Sequence, residues 1–449
     1  MTLPEDERAP LDSIGAFDNV HPPSLELLGD CVHCGFCLAS CPTYSLWGEE
    51  MDSPRGRIDL MLQGVSGEPL TTSMVTHFDQ CLGCMACLPA CPSGVQYDKL
   101  IEATRSQVER NYKRPLRERA LRSLIFAVFP YPRRVRAAIL PLRALQRFRL
   151  DQTIRKSRLF RRLPVSVRAM AAIAPQITPT EKVAELVPAI GHRRAVVGML
   201  TGCVQSVFFS GVNAATARVL AAEGCDVIVP RAQECCGALS MHNGREAEAM
   251  SFARALIDVF DEAKVETIVV NSAGCGSTMK EYAHLLRDDP HYAVRAREFS
   301  ARTRDVSEYI AELGPAATRH PFVATIAYHD ACHLSNAQGV RAQPRRLLTS
   351  IPGIELREIP SGETCCGSAG IYNLLQPVAA AELGDRKARN VETTGAQLLV
   401  TANPGCLMQV SAALERAGKS MPTAHTIEVL DASIRGLPSG ALLGRGAKR

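Results

Sequence analysis

A four-point cysteine pattern occurs twice in this sequence, shifted by about 130 residues. Cys203, the adjacent pair Cys235–Cys236 and Cys275 return as Cys332, Cys365–Cys366 and Cys406, at offsets of 129, 130, 130 and 131 residues. Four points held in register predict two copies of one domain, placed at 195–320 and 321–436. In the first copy VVGML (196–200) runs into Cys203, VNAATARVLAAEG (212–224) predicts a helix closed by glycine, and DVIVP (226–230) ends before the cysteine pair. A helix from Arg245 to Ala263 then leads to TIVVN (267–271) and Cys275. The second copy repeats this with FVATIAY (322–328), IELREI (354–359) and QLLVTAN (397–403). Short β-branched runs alternating with alanine-rich amphipathic stretches predict a parallel α/β layer. Each repeat cysteine then falls just past the carboxyl end of a strand. Open parallel sheets bind ligands there, and helix N-termini favour anionic groups.

Upstream of the repeats, residues 26–110 carry eight further cysteines in two groups. CVHCGFCLASCP places Cys31, Cys34, Cys37 and Cys41 before Pro42, and CLGCMACLPACP places Cys81, Cys84, Cys87 and Cys91 before Pro92. Both are the C-x2-C-x2-C-x3-C-P run that holds 4Fe–4S clusters in bacterial ferredoxins. Three cysteines at two-residue intervals wrap a tight loop round three corners of a cube, and the proline removes an amide with no partner there. In paired runs the fourth cysteine serves the other cluster. Cys31, Cys34, Cys37 and Cys91 are therefore assigned to one cluster, and Cys81, Cys84, Cys87 and Cys41 to the other. Structural zinc is the competing reading, but zinc takes four tetrahedral ligands, usually as two separated C-x2-C pairs. The spacer between the runs, 42–80, is too long for a compact β-rich hairpin. SPRGRIDLMLQG within it reads as helical. A helical ferredoxin domain, similar to that of respiratory iron–sulfur subunits, fits better.

Seventeen cysteines would suggest a disulfide framework in a secreted chain. The start, MTLPEDERAPLD, lacks the apolar core of a secretory signal, and no apolar run approaches 18 residues. The expected location is the cytoplasm, where thiols stay reduced and clustered cysteines bind metal. Charge is uneven. From Arg105 to Arg168 there are 19 Lys or Arg against three acids, a local +16, so the remainder of a chain of net +5 carries 5 − 16 = −11. Within 111–194, a basic linker studded with prolines, short helices broken by turns are expected. There Arg133, Arg134, Arg136, Arg143, Arg147 and Arg149 alternate with Ile139, Leu140, Leu142, Leu145 and Phe148. That is a basic amphipathic surface suited to anionic lipid, with a solvated or partner-docked face as the alternative. No nucleic-acid recognition motif accompanies the charge.

ECCGAL and TCCGSAG pair adjacent thiols with Gly237 and Gly367, glycines that let the backbone approach closely. Here the sequence resembles the CCG-domain proteins, which include heterodisulfide reductase subunits and bacterial hydroxy-acid and glycerol-phosphate dehydrogenase subunits. The fuller order, with CVHCGFCLASCPTY, SPRGR, NAATARVL, SAGCGSTMKEY and CCGSAGIYNL, is similar to the glycolate oxidase iron–sulfur subunits from about residue 25 onward. The resemblance implies a multidomain α+β fold: a 1–25 arm, an N-terminal α-helical two-cluster ferredoxin domain (26–110), the linker, two repeated α/β CCG domains and a 437–449 tail. In the heterodisulfide relatives each repeat ends in C-x-x-C and binds a five-cysteine cluster. Here the third position after Cys275 is Thr278 and after Cys406 is Gln409, which argues against that cluster and against disulfide reduction. A further cluster held by Cys203, Cys235, Cys236 and Cys275, or by Cys332, Cys365, Cys366 and Cys406, stands beside a reading of buried structural thiols. Cys225 lies outside the pattern and reads as core. His242, His329, His333 and His425 sit close to these cysteines in sequence, each readable as a ligand or proton donor or as a structural residue.

Removing a hydride from a 2-hydroxy acid moves two electrons together, whereas iron–sulfur cubanes take one. No strand-linked G-x-G-x-x-G and no motif-placed catalytic base is present in the sequence. The resemblance therefore implies an electron-transfer subunit, with FAD on partner subunits oxidising glycolate to glyoxylate and a quinone-type acceptor beyond. The basic linker, if it meets lipid, would bring this cytoplasmic chain to the inner face of the cell membrane. D-lactate or glycerol 3-phosphate are alternative substrates of such a complex, and a free ferredoxin-like carrier is the plainest alternative.

Overall fold

A computed structural model of the chain describes residues 16–148, 150–419 and 421–446. The first fifteen residues of the expected arm, Arg149 and the last three residues of the expected tail lie outside these. The chain divides into two compact units, one running through Ala120 and including Ser240–Glu246, the other formed by Leu121–Leu239 and the chain from Ala247.

In the first unit the spacer between the cysteine runs is built of two helices, Pro54–Val65 and Thr72–Gln80. Ser53 caps the first, its Oγ accepting the Gly56 N–H at 3.1 Å, and Pro54 follows at the position where a missing N–H costs nothing. Their apolar faces, with Ile58, Met61, Met74 and Phe78, meet Leu28 and the buried face of helix Tyr97–Asn111 (Leu100, Ile101, Val108). Asp18 ties the incoming chain to that helix. Arg110 donates to it at 2.9 Å and holds its carboxyl well below the usual carboxylate range.

Residues 116–173 form six short helices: Leu116–Val128, Pro132–Ala138, Leu140–Arg147, Leu150–Lys156, Arg158–Arg161 and Val165–Ile173. Pro132 and Pro141 stand in the first turns of their helices, so these prolines begin helices as much as they end them. The repeats follow as nine strands: β1 (Leu186–Val187), β2 (Ala195–Met199), β3 (Cys225–Ile228), β4 (Thr267–Val270), β5 (Thr303–Asp305), β6 (Ala324–His329), β7 (Ile354–Glu358), β8 (Leu398–Thr401) and β9 (Thr423–His425). One sheet has the order β1-β3-β2-β4-β5 and the other β7-β6-β8-β9. Every pairing is parallel except β1 with β3. Without the β1 edge, the two sheets have the same strand order. In each, the order reverses between the first and third core strands (β2 and β4, β6 and β8). Such a switch point opens a crevice at the carboxyl ends.

The two sheets share one apolar core, in which Val197, Val227 and Val269 join Ile326, Leu398 and Val400. Helix Ser210–Ala222 packs on helix Thr426–Ile434, with Arg218 bonded to Asp431 at 2.7 Å. Glu223, fully buried, accepts from Arg319 and from the amides of Ala316 and Ala317. His425 closes β9 and caps the next helix, its Nδ1 accepting the Ile427 N–H at 3.1 Å. Burial pushes the His425 imidazole down to about 4. The unfolded chain binds this proton near pH 6.5 and the folded chain does not, so acid favours unfolding. Stability is expected to fall by roughly 3 kcal/mol as pH drops from about 6.5 through 4. In urea titrations over that range His425→Asn, which retains a capping acceptor, should show a flatter pH dependence than the unsubstituted chain.

Candidate metal centres

The two N-terminal runs differ in exposure. Cys34 is exposed and Cys31, Cys37 and Cys91 are half-buried, whereas Cys41, Cys81, Cys84 and Cys87 are buried. Beside Cys34 the side chains of Val32 and Phe36 are 68% and 67% exposed. Cys37 leads a one-turn helix (Cys37–Ser40), and Cys41 precedes the helix Pro42–Trp47, where Pro42 starts the helix rather than turning the chain away. Cys41, Cys81, Cys84 and Cys87 line one cavity with Thr43, Arg57 and Tyr97. Three sulfurs of the second run thus share a cavity with the last sulfur of the first.

Hydrogen-bond donors and a buried cation surround that cavity. Arg57 is 1% exposed. Its guanidinium donates to the Asp52 carbonyl at 2.6 Å, to the Asp52 carboxylate at 3.2 Å, to Thr43 Oγ1 at 3.2 Å and to the His77 carbonyl at 2.6 Å. Thr43 Oγ1 lies 3.2 Å from Cys41 Sγ. The Gly83 N–H donates to Cys81 Sγ at 3.3 Å and the Tyr97 hydroxyl reaches it at 3.7 Å. Burial pushes the Cys81 thiol up, but Arg57 and Arg105 outweigh it and hold the group below the ordinary thiol range. Cys87 has no such cation and is pushed well up by burial and by the neighbouring sulfurs. Four desolvated sulfurs in one cavity, with a guanidinium and donors aimed at them, suit a thiolate-ligated iron–sulfur cluster. Arg105 also donates to the carbonyls of Cys81 and His242.

In the repeats the four sulfurs of each copy come together at the switch point. Cys203 and Cys235 lie 3.5 Å apart, and Cys235, Cys236 and Cys275 continue the contact. In the second copy Cys332, Cys365, Cys366 and Cys406 form the same chain of sulfurs. Cys332 and Cys366 are held well below the ordinary thiol range, first by Cys365 and then by His333 for Cys332 and by Cys406 and His329 for Cys366. Cys365 and Cys406 are correspondingly pushed up. Cys225 lies in β3, fully buried and 3.9 Å from the Tyr309 hydroxyl, as a core residue.

The histidines divide. His329 and His333 stand with the second sulfur set. His242 belongs instead to the first unit, its Nδ1 3.0 Å from Glu102, and His425 is a helix cap. Thr278 and Gln409 are buried, and Gln409 is committed to Asn373 at 3.2 Å and the Ala380 carbonyl at 2.8 Å. Arg57 and Lys387 were not singled out by sequence. Lys387 had left a signal, a lone lysine on the apolar stripe Ala380, Leu383, Val391 of helix Pro377–Thr393.

At the glycines after the cysteine pairs the backbone approaches its neighbours closely. Gly367 has φ +87°, and a Cβ there would lie 2.6 Å from the Ala380 carbonyl oxygen; at Gly237 (φ +78°) the contact is 3.1 Å from Ala249. Each lets the cysteine turn rest on the following helix, and the Gly237 N–H also donates to Cys235 Sγ at 3.4 Å. Gly367→Ala is expected to cost about 2 kcal/mol or more, seen as a lowered Tm, from strain at positive φ plus the clash.

Residues 27–95 match the family model described as a 4Fe-4S dicluster domain, 197–280 and 326–411 a cysteine-rich domain, and 117–174 the linker region of the glycolate oxidase iron-sulfur subunit. A probable glycolate oxidase iron-sulfur subunit of Bacillus subtilis is 40% identical over 88% of this chain and 90% of its own length. A glycolate oxidase iron-sulfur subunit of Escherichia coli is 37% identical over 91% and 94%. A lactate utilization protein A of Halalkalibacterium halodurans is 32% identical over 52% of this chain and 96% of its own. Iron–sulfur clusters are therefore the cofactors of the dicluster region, residues 27–95.

Proposed function

The chain belongs to the family of glycolate oxidase iron–sulfur subunits, and from that membership we propose that it carries electrons, one at a time, from glycolate oxidation on an FAD-bearing partner subunit toward a quinone-type acceptor. The observation that carries this reading is the cavity shared by Cys41 with Cys81, Cys84 and Cys87, the interleaving that two neighbouring clusters require. Cys31, Cys34, Cys37 and Cys91 would hold the other cluster. Bound at these sets, 4Fe–4S clusters supply one-electron carriage. The chain's own residues do the rest: the cysteines fix the positions, burial excludes water from the second set, and Arg57 and Arg105 offset thiolate charge at Cys81.

Hydride removal moves two electrons and each cluster takes one, so C–H cleavage is assigned in this reading to the FAD-bearing partner. The chain purified alone should give no glycolate-dependent dye reduction, and adding the flavoprotein partner should restore it; turnover by the chain alone would overturn the reading. Lactate as substrate has support from the lactate utilization relatives, over about half of this chain.

No described helix is long and apolar enough to cross a membrane. Surface contact is the route to a membrane quinone that this reading takes. Leu124, Leu140, Phe148, Leu150 and Ile154 are all exposed among the arginines of the linker helices. The combination suits anionic lipid. The chain is expected to float with anionic vesicles at low salt and to be released as salt rises, while neutral vesicles leave it behind.

A further inference from the structure

We propose that the second cysteine-rich repeat, and not the first, holds a metal centre in which the imidazole of His329 is a ligand beside Cys366 and Cys406. This goes beyond the electron-relay reading, which needs only the N-terminal cysteines. His329 ends β6, is 1% exposed, and neither of its ring nitrogens meets an oxygen or nitrogen partner, the Cys366 thiol being the polar group against the ring. A buried ring whose nitrogens lack such partners is costly unless something coordinates it. The ligand atoms of His329, Cys366 and Cys406 all lie within 4.8 Å of one another, the one such group of three histidine, cysteine or acidic residues among the described residues. Thiolate with imidazole selects a thiophilic metal, zinc or the iron of an iron–sulfur cluster, over magnesium or calcium.

The two repeats differ at the positions that matter for charge. Shifting by the repeat offsets puts Leu200 where the second copy has His329, and Leu256 where it has Lys387. Both leucines are buried. Lys387 is 2% exposed, and its ammonium donates to the carbonyls of Ser361 at 2.6 Å and Gly362 at 3.1 Å. Burial pulls its pKa down, and the neighbouring charges of Cys366, Cys365 and Cys406 work against that, so its ammonium stands close enough to act on those sulfurs. The first repeat has four thiols in the same fold, with no cation and no imidazole at the matching positions. The turn after the first cysteine also differs: after Cys332 it is a π-helical turn, His333–Ala337, whereas the first copy has an α-helical turn, Gln205–Phe208. Such π-turns recur at functional sites.

The test uses the full chain prepared anaerobically, with iron, zinc and acid-labile sulfide counted per chain. X-ray absorption at the metal edge and pulsed EPR read nitrogen ligation. The unsubstituted chain should hold metal beyond the roughly eight irons of two 4Fe–4S clusters. Extra iron with sulfide identifies a cluster, and extra zinc without sulfide a single ion. His329→Leu should lose that extra metal or its nitrogen signature, with the N-terminal cluster signals unchanged, and Cys203→Ser should keep both. His329→Gln, which preserves polarity and much of the volume, serves should the leucine variant fail to fold. No metal beyond the two clusters, an unchanged nitrogen signature in both His329 variants, or equal metal loss in Cys203→Ser overturns the proposal. Failure of the relay reading would show separately, as missing N-terminal cluster signals.

Discussion

Cys41→Ala is expected to halve the iron of the N-terminal region, from about eight to about four atoms per chain, by removing the cluster proposed for the second cysteine run. The expectation rests on the cavity that Cys41 shares with Cys81, Cys84 and Cys87, and on Thr43 and Arg57, which connect Cys41 to the same hydrogen-bonded network. Four single variants read the pairing. If ligation crosses, Cys41→Ala and Cys84→Ala leave the same residual EPR spectrum, and Cys91→Ala matches Cys34→Ala. If each run binds its own cluster, Cys41→Ala instead matches Cys34→Ala. The spectra decide between these, whatever the effect on stability.

Arg57→Met is expected to cost about 3–5 kcal/mol of stability, because it strands the Asp52 carboxylate in the interior with only part of its hydrogen bonding. Asp52 would keep His77, 2.9 Å away, but lose the guanidinium at 3.2 Å. Methionine fills much of the stem's volume, so the loss is chiefly electrostatic and not a cavity effect. Chemical denaturation of Arg57→Met should show it, and adding Asp52→Asn should restore part of the stability. Removing a positive charge beside Cys41 and Cys81 also disfavours the added electron, so the reduction potential of the cluster at that cavity should fall. A variant that loses stability but keeps the potential would confine Arg57 to a structural role.

Much of this architecture was legible because it is periodic. The cysteine register gave two copies, and the β-branched runs fell within a residue or two of β2, β3, β4, β6, β7 and β8. What escaped depends on partners far away in sequence. His242 stands six residues after Cys236, yet its side chain meets Glu102, 140 residues upstream, and so leaves the sulfurs. Arg57 reads in SPRGR as an ordinary helix residue, and only the folded chain buries it between Asp52 and the cysteines. The short helices expected in the linker are present, and Pro132 and Pro141 fit at their starts for a local reason: at the first turn of a helix the missing amide has no bond to lose. His329 and His333 could be noticed beside Cys332, but their separation from His242 and His425 required the fold.

The unequal shielding of the two N-terminal runs sets an order of damage in air. Dioxygen and peroxide diffusing from solvent meet Cys34, at the surface between Val32 and Phe36, before they reach the buried sulfurs of Cys81, Cys84 and Cys87. Oxidative loss of iron is therefore expected to begin at the outer run. A preparation aged in oxygen passes through a stage in which the inner site is still intact while the outer one has decayed.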